Sequence, residues 1–430
     1  MFFTYAVSFL KFFTVSCSEG DPMRKALSTS LFALAVTAFC VVASASGPGD
    51  TKKANVTFTK DVAPIFYNSC VQCHRPGEIA PMSLLTYKDA RPWARSIKEK
   101  VATRVMPPWH ADPHFGEFAN DRRLSDNEIE TITAWVDQGA KEGNAKDLPP
   151  APAFLEGWNI GKPDVVFYLP NEYQVPASGV VEYKYFKVPT NFKEDKWIQA
   201  AEIRPGVRGV VHHIIVFAQK ANEPQRLIVG YAPGEQPAVI SKGLAKKIPA
   251  GSDLIFQVHY TPNGTETKDK SYVGFVFAKE TPGNEVMTRP VMNARFVIPP
   301  GDPNYQVEST YTFTQDAHIY SLMPHMHLRG KDFIFKATYP DGASKVLLSV
   351  PKYDFAWQTY YTLKDPVAAP KGTRVDCLAH FDNSEKNKYN PDPKKEVRWG
   401  DQTWEEMMIG WTSFTYDKPQ EKSQAVSQSK

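Results

Sequence analysis

At 430 residues, with hydrophobic residues at 42% and charged residues at 23%, the chain has an ordinary globular composition and is too long for one small domain. A formal net charge of +3, with no basic stripe interleaved with aromatics, excludes a nucleic-acid role. The 35 prolines and 13% aromatic content point to β-structure with many turns.

Met23, Arg24 and Lys25 make a charged start, Leu31 to Val42 an apolar run, and Ala43 to Ala45 a small-residue cleavage site. Residues 1–46 therefore read as a signal peptide whose true start is Met23. The run is shorter than the roughly 20 apolar residues a membrane span needs, and Phe39 is not the small residue that lipidation at Cys40 would want. The expected destination is the periplasm or the exterior, with no span in the mature protein. Cys17 and Cys40 leave with the leader, so Cys70, Cys73 and Cys377 cannot build a disulfide framework.

Cys70, Cys73 and His74 form a CxxCH run, the attachment pattern for c-type haem. Two thiols bond to the haem vinyl groups, and the adjacent imidazole takes one axial position on iron. A zinc site would want a second ligand pair at suitable spacing, and none follows. Phe58 to Phe66 reads as an entry helix. Leu124 to Gly139 reads as an amphipathic helix, with Ser125 as N-cap, Glu128 three residues on, and Ile129, Ile132, Trp135 and Val136 on the apolar face. That helix resembles the C-terminal helix of small class I cytochromes c. Met106, beside Pro107 and Pro108, is the expected sixth ligand, with Met82, His110 and His114 as alternatives. The expectation is a small all-α cytochrome c domain over residues 55–145 carrying one covalent haem c.

Residues 146–160 are a small, polar, proline-rich linker. From Lys162 onwards short β-prone runs alternate with turns, and residues 419–430 form a polar disordered tail. His212 and His213 lie in one strand-like run, His259 in another, and His325 and His327 in a third. Histidines at i and i+2 share a strand face, so His325 and His327 can reach one metal ion. Adjacent His212 and His213 point to opposite faces unless a bulge or strand end turns them together.

The segments around these histidines, with the run Trp404 to Met408, resemble in order the copper-ligand segments of peptidylglycine α-hydroxylating monooxygenase and dopamine β-hydroxylase. The resemblance covers roughly residues 160–418. It implies two coppers, one held by His212, His213 and His259, the other by His325, His327 and Met407, with Met407 preferred over Met408 because it follows the acidic pair. Imidazole and thioether ligands suit copper that cycles through Cu(I). The resemblance further implies two all-β jelly-roll sandwich domains, 161–285 and 286–418. Runs at Tyr173 to Gly179 and Phe296 to Asp302 give a faint internal echo of that repeat.

The implied activity is a monooxygenase, in which the Met407 copper activates O2 towards a substrate C–H bond and the three-histidine copper supplies the second electron. His325, His327 and Met407 are thus the expected catalytic set. Relatives take electrons from ascorbate; here the fused haem is an alternative donor. Gln257 matches a family glutamine near the electron-transfer region, or is an inward polar strand residue. Met323 and Trp411 stand where the peptide hydroxylase has an arginine and a tyrosine, which removes the charged anchor for a peptide carboxylate and favours a less polar small substrate. Cys377 and His380 have the spacing of a blue-copper pair but lack a following axial methionine, so a buried thiol is the default. His318 and His380 have no assigned role. The competing reading is a non-catalytic haem and copper electron-transfer or copper-binding protein.

Overall fold

The sequence patterns expected to be helical form short helices. In the computed structural model, which describes residues 55–154 and 157–418, a helical turn Phe58–Val62 runs into helix Ala63–Ser69, and Tyr87–Ala90, Ala94–Ala102 and Asp126–Asp137 follow. The expected signal peptide and the expected polar C-terminal tail lie outside the described residues. At Ser125 the hydroxyl accepts from the Glu128 N–H and the Glu128 carboxylate accepts from the Ser125 N–H, so the capping box starts Asp126–Asp137 where expected. Phe58, Phe66 and Trp135 pack at centroid distances of 6.0, 5.9 and 6.4 Å and anchor the helices to one another.

The expected all-α cytochrome c domain followed by two jelly-roll domains is not what forms. The chain is mostly β, at 37% strand and 12% helix, with only short helices and no separate all-α domain at its N-terminus. The described residues belong to one compact unit. The reason lies in the segment between Ala94–Ala102 and Asp126–Asp137. It leaves the helices and buries Trp109, Ala111 and Phe118 in a β core, where Trp109, Phe118 and Tyr361 pack edge to face at 4.9 to 5.8 Å. Phe118 bridges to Leu363, the Ala119 N–H donates to the Thr362 carbonyl at 2.8 Å, and the Lys364 N–H donates to the Glu117 carbonyl at 2.8 Å. This segment covers the otherwise unpaired edge of the strand Tyr361–Ala369.

Four principal sheets follow one another in a four-bladed, propeller-like arrangement. The first orders Val165–Tyr168, Tyr272–Phe277, Lys196–Arg204, Leu244–Ile248 and Asn284–Glu285, and the second orders Lys184–Pro189, Asp253–Tyr260, Val211–Gln219 and Arg226–Tyr231. The third orders Met287–Met292, Ile409–Tyr416, Ala317–His325 and Tyr361–Ala369, and the fourth Tyr305–Thr312, Arg374–Phe381, Gly330–Thr338 and Ser344–Val350. Ile198, Ile203, Val216, Phe256 and Phe275 join the first two sheets in one core. Ile319, Phe333, Phe335, Phe381 and Phe414 join the last two in another. Each such side chain contributes roughly 1.5–3 kcal/mol by leaving water. Phe217 against Trp411 ties the second sheet to the third, Tyr183 N–H to Gln402 Oε1 at 3.3 Å ties the segments beside them, and Arg226 to Glu285 at 2.6 Å ties the second sheet to the first. Among the described residues, no helix is long and apolar enough to cross a membrane.

Because Phe118 links the helical segment to the β core, Phe118→Ala should cost about 3–5 kcal/mol. Denaturant melts followed by far-UV circular dichroism should show one transition at lower denaturant. A helical signal that melts separately, with the β signal untouched, would contradict the single unit.

Candidate functional site

Along the pairing of Val211–Gln219 with Asp253–Tyr260, Val211 faces Tyr260 while His213 faces His259. His212 is therefore the extra residue of a β-bulge, and the bulge turns two adjacent imidazoles towards one side. The rings of His212, His213 and His259 lie 5.4, 5.0 and 5.1 Å apart, and one ligand atom from each lies within 4.8 Å of the others. His212 Nδ1 and His213 Nδ1 are 3.1 Å apart. His213 Nε2 and His259 Nδ1 are buried with no hydrogen-bond partner. Each orphaned nitrogen costs on the order of 1–3 kcal/mol, which a bound cation would relieve. Burial lowers His212 to about 4 and His259 to about 3, and lowers His213 with help from the neighbouring imidazoles. All three are neutral at pH 7, the form a metal ion requires.

His325 ends its strand opposite Ile409, and His327 follows two residues on, with ring centroids 5.3 Å apart. His325 Nδ1 donates to Gln358 Oε1 at 2.7 Å, and His327 Nδ1 donates to the Glu405 carbonyl at 3.1 Å. Each ring is thus fixed with its Nε2 lone pair outward, and His327 Nε2 is buried and unpartnered. Burial lowers His325 to about 4 and His327 to about 3. The Glu406 carboxylate accepts from the His327 N–H at 2.8 Å and the Arg329 N–H at 2.6 Å, which holds the turn between them. Burial pushes Glu406 up to about 8, against the pull of those N–H groups. Of the two methionines that follow, Met408 packs into the β core, whereas Met407 is buried outside it.

The two histidine sets meet. Tyr183 lies 5.4 Å from His213, 4.8 Å from His259 and 6.3 Å from His327 by ring centroid. Phe355 stacks on His212 at 5.3 Å and lies 6.1 Å from His259 and 5.9 Å from His327. Five histidines and two aromatic rings therefore form one centre, buried except at His212 and Phe355, which are half-buried. Tyr183, Phe355 and Gln358 escaped the sequence reading because none belongs to a motif.

Cys70 caps helix Ala63–Ser69, and the Cys73 and His74 N–H groups donate to its carbonyl at 3.1 and 3.0 Å, so the three residues form one turn. His74 Nδ1 donates to the Met82 carbonyl at 3.2 Å, leaving Nε2 free. Burial pushes the Cys70 thiol up to about 12 and raises Cys73, which Arg122 opposes. Among the sixth-ligand candidates, Met82 offers its carbonyl to His74, and His114 Nδ1 is held by Asp112 at 2.7 Å. Met106 is half-buried on the turn leaving Ala94–Ala102, with its N–H on the Lys100 carbonyl at 3.1 Å, and His110 is half-buried.

The remaining residues find plain partners. His318 pairs with Asp417 at 2.9 Å and His380 with Asp332 at 2.7 Å. Cys377 is buried in the core against Phe335 on the facing strand. Gln257 Nε2 donates to Tyr185 Oη at 2.7 Å, and that hydroxyl reaches Asp401 at 3.1 Å. Met323 is buried and sits opposite Trp411 in the strand pairing.

Gln358→Ala removes the acceptor that orients His325, so metal affinity at the His325–His327 set should fall roughly 10–100-fold while the bulge set is unchanged. Metal titration read by histidine ring resonances separates the two sets; equal affinity in the variant would contradict the assignment.

No family model and no curated protein matches the chain. A protein from Eubacterium rectale described as secreted is similar at 10% identity, over 55% of this chain and 70% of its own, with a TM-score of 0.18. The Gx strain structure of infectious bursal disease virus matches at 9% identity over 62% and 75%, TM-score 0.19. Bacillus subtilis oxalate decarboxylase matches at 7% identity over 60% and 78%, TM-score 0.14. Likenesses at these scores say nothing about fold or chemistry.

Proposed function

We propose that the chain is an exported, copper-dependent monooxygenase that hydroxylates a C–H bond of a small, weakly polar substrate, with electrons supplied through a covalent c-type haem. The supporting observation is the convergence of two unlike histidine sets across Tyr183 and Phe355: one of three imidazoles, the other of two, with Met407 lying two residues before Ile409, the strand partner of His325. Copper held there would supply one-electron chemistry towards O2, and a covalent haem would store an electron. Imidazole with thioether suits copper, whereas structural zinc favours a closed set of four thiolate or imidazole ligands.

The protein's part is positioning. The bulge at His212 aims three lone pairs at one point, and Gln358 and Glu405 lock His325 and His327 in the tautomer that leaves Nε2 for a metal ion. Glu406 accepts from the His327 and Arg329 N–H groups and so holds the turn between them, and Met407 follows Glu406 directly in the chain. With Met323 and Trp411 in place of a charged anchor, the site offers no clamp for a carboxylate. The leader and the CxxCH motif, attached in an oxidising compartment, support a periplasmic or secreted location.

Each turnover takes one substrate, one O2, two electrons and two protons to a hydroxylated product and water. Purified mature protein should carry one haem and two coppers, and a substrate screen should find electron-dependent O2 uptake with a hydroxylated product. Met407→Ile should abolish that uptake while copper stays on the bulge set. A fully active Met407→Ile protein, or copper and haem oxidation without product, would overturn the monooxygenase reading, the latter in favour of an electron relay.

A further inference from the structure

We infer that Trp357 is the positioning residue that links the CxxCH turn electronically to the histidine centre; the inference rests on the haem-and-copper reading above. Gly234 has φ +79, and a Cβ built on it would stand 3.3 Å from Arg122 Nη1, 3.5 Å from Cys73 Sγ and 3.7 Å from Trp357 Cζ3. The attachment cysteine and the indole thus line one small space over a glycine, a residue that the positive φ favours.

Trp357 lies in a short turn that also touches both histidine sets. The Trp357 N–H donates to the Asp354 carbonyl at 3.0 Å, and the Thr359 N–H donates to the Trp357 carbonyl at 3.0 Å. Phe355, two residues before, stacks on His212 at 5.3 Å with an interplanar angle of 22°. Gln358, the next residue, holds His325 Nδ1 at 2.7 Å. Glu78, four residues past His74, pairs with Arg208 at 3.0 Å, and Arg122, beside Cys73 over Gly234, pairs with Glu235 at 3.5 Å, so the helical segment is held to the loops flanking the second sheet.

The residues around Cys73 fit a haem. His74 presents a free Nε2, and Arg75 Nη1 is buried with no hydrogen-bond partner, which suits a carboxylate of a haem. A haem on Cys70, Cys73 and His74 would supply one electron as its ferrous iron became ferric, and a cupric ion held by His212, His213 and His259 would accept that electron and become cuprous. No bond is made or broken and no proton moves. Trp357 and Phe355 fill the gap with polarisable rings and are not themselves oxidised.

The test uses the protein carrying haem and Cu(II), without substrate or O2. The haem is photoreduced and its reoxidation followed by absorbance. Trp357→Leu should slow reoxidation on the order of tenfold at unchanged haem content, copper content and haem potential, and Trp357→Phe should restore most of the rate. In copper-free protein, haem attachment should quench more tryptophan emission in the wild type than in Trp357→Phe. If Trp357→Leu does not fold, Phe355→Leu, which breaks the same path one ring later, should show the slowed rate. Unchanged rates in these variants, or equal quenching, would overturn the inference and leave the functional reading standing. A wild-type haem that stays reduced beside Cu(II) would overturn the inference together with haem-supplied electrons.

Discussion

One extra residue in one strand shapes the centre of this protein. Without the bulge at His212, the pleat would send His212 and His213 to opposite faces, one into a core and one away from the other imidazoles. With it, both rings converge on His259 across the pairing with Asp253–Tyr260. His213 and His259 are buried and His212 is half-buried, and desolvation keeps all three imidazoles neutral. A buried, uncharged set with orphaned nitrogens is poorly stabilised alone and well suited to a cation.

The second set shows a different solution. His325 and His327 share a side through ordinary i, i+2 spacing, so no bulge is needed there. What they need is orientation, supplied by Gln358 and the Glu405 carbonyl, while Glu406 ties the turn to the segment bearing Met407. The turn containing Phe355, Trp357 and Gln358 then joins the two sets to each other and to Cys73. Its side chains act on three places at once, so the fold and the chemistry depend on the same few residues.

Much of this was legible in the sequence wherever the chemistry was local. The CxxCH turn, the capping box at Ser125 and the histidine spacings depend on residues a few positions apart. The partners that complete them do not: Gln358 is 33 residues from His325, and the aspartates that occupy His318 and His380 are 99 and 48 residues away. The helical segment was misread as a separate domain for a related reason. Prolines around Met106 suggested a ligand loop, whereas Trp109 and Phe118 nearby are large apolar side chains that the small helical core does not bury, and they take the chain into the third and fourth sheets.

The central claim is that one buried centre holds two unlike copper sites. X-ray absorption at the copper edge of the reduced protein, compared with a Met407→Leu variant, tests it most directly. The account predicts nitrogen scatterers with a sulfur contribution equivalent to one thioether for every two coppers, lost in the variant while the three-imidazole site persists. A single copper per chain, or a spectrum with no sulfur ligand, would contradict it.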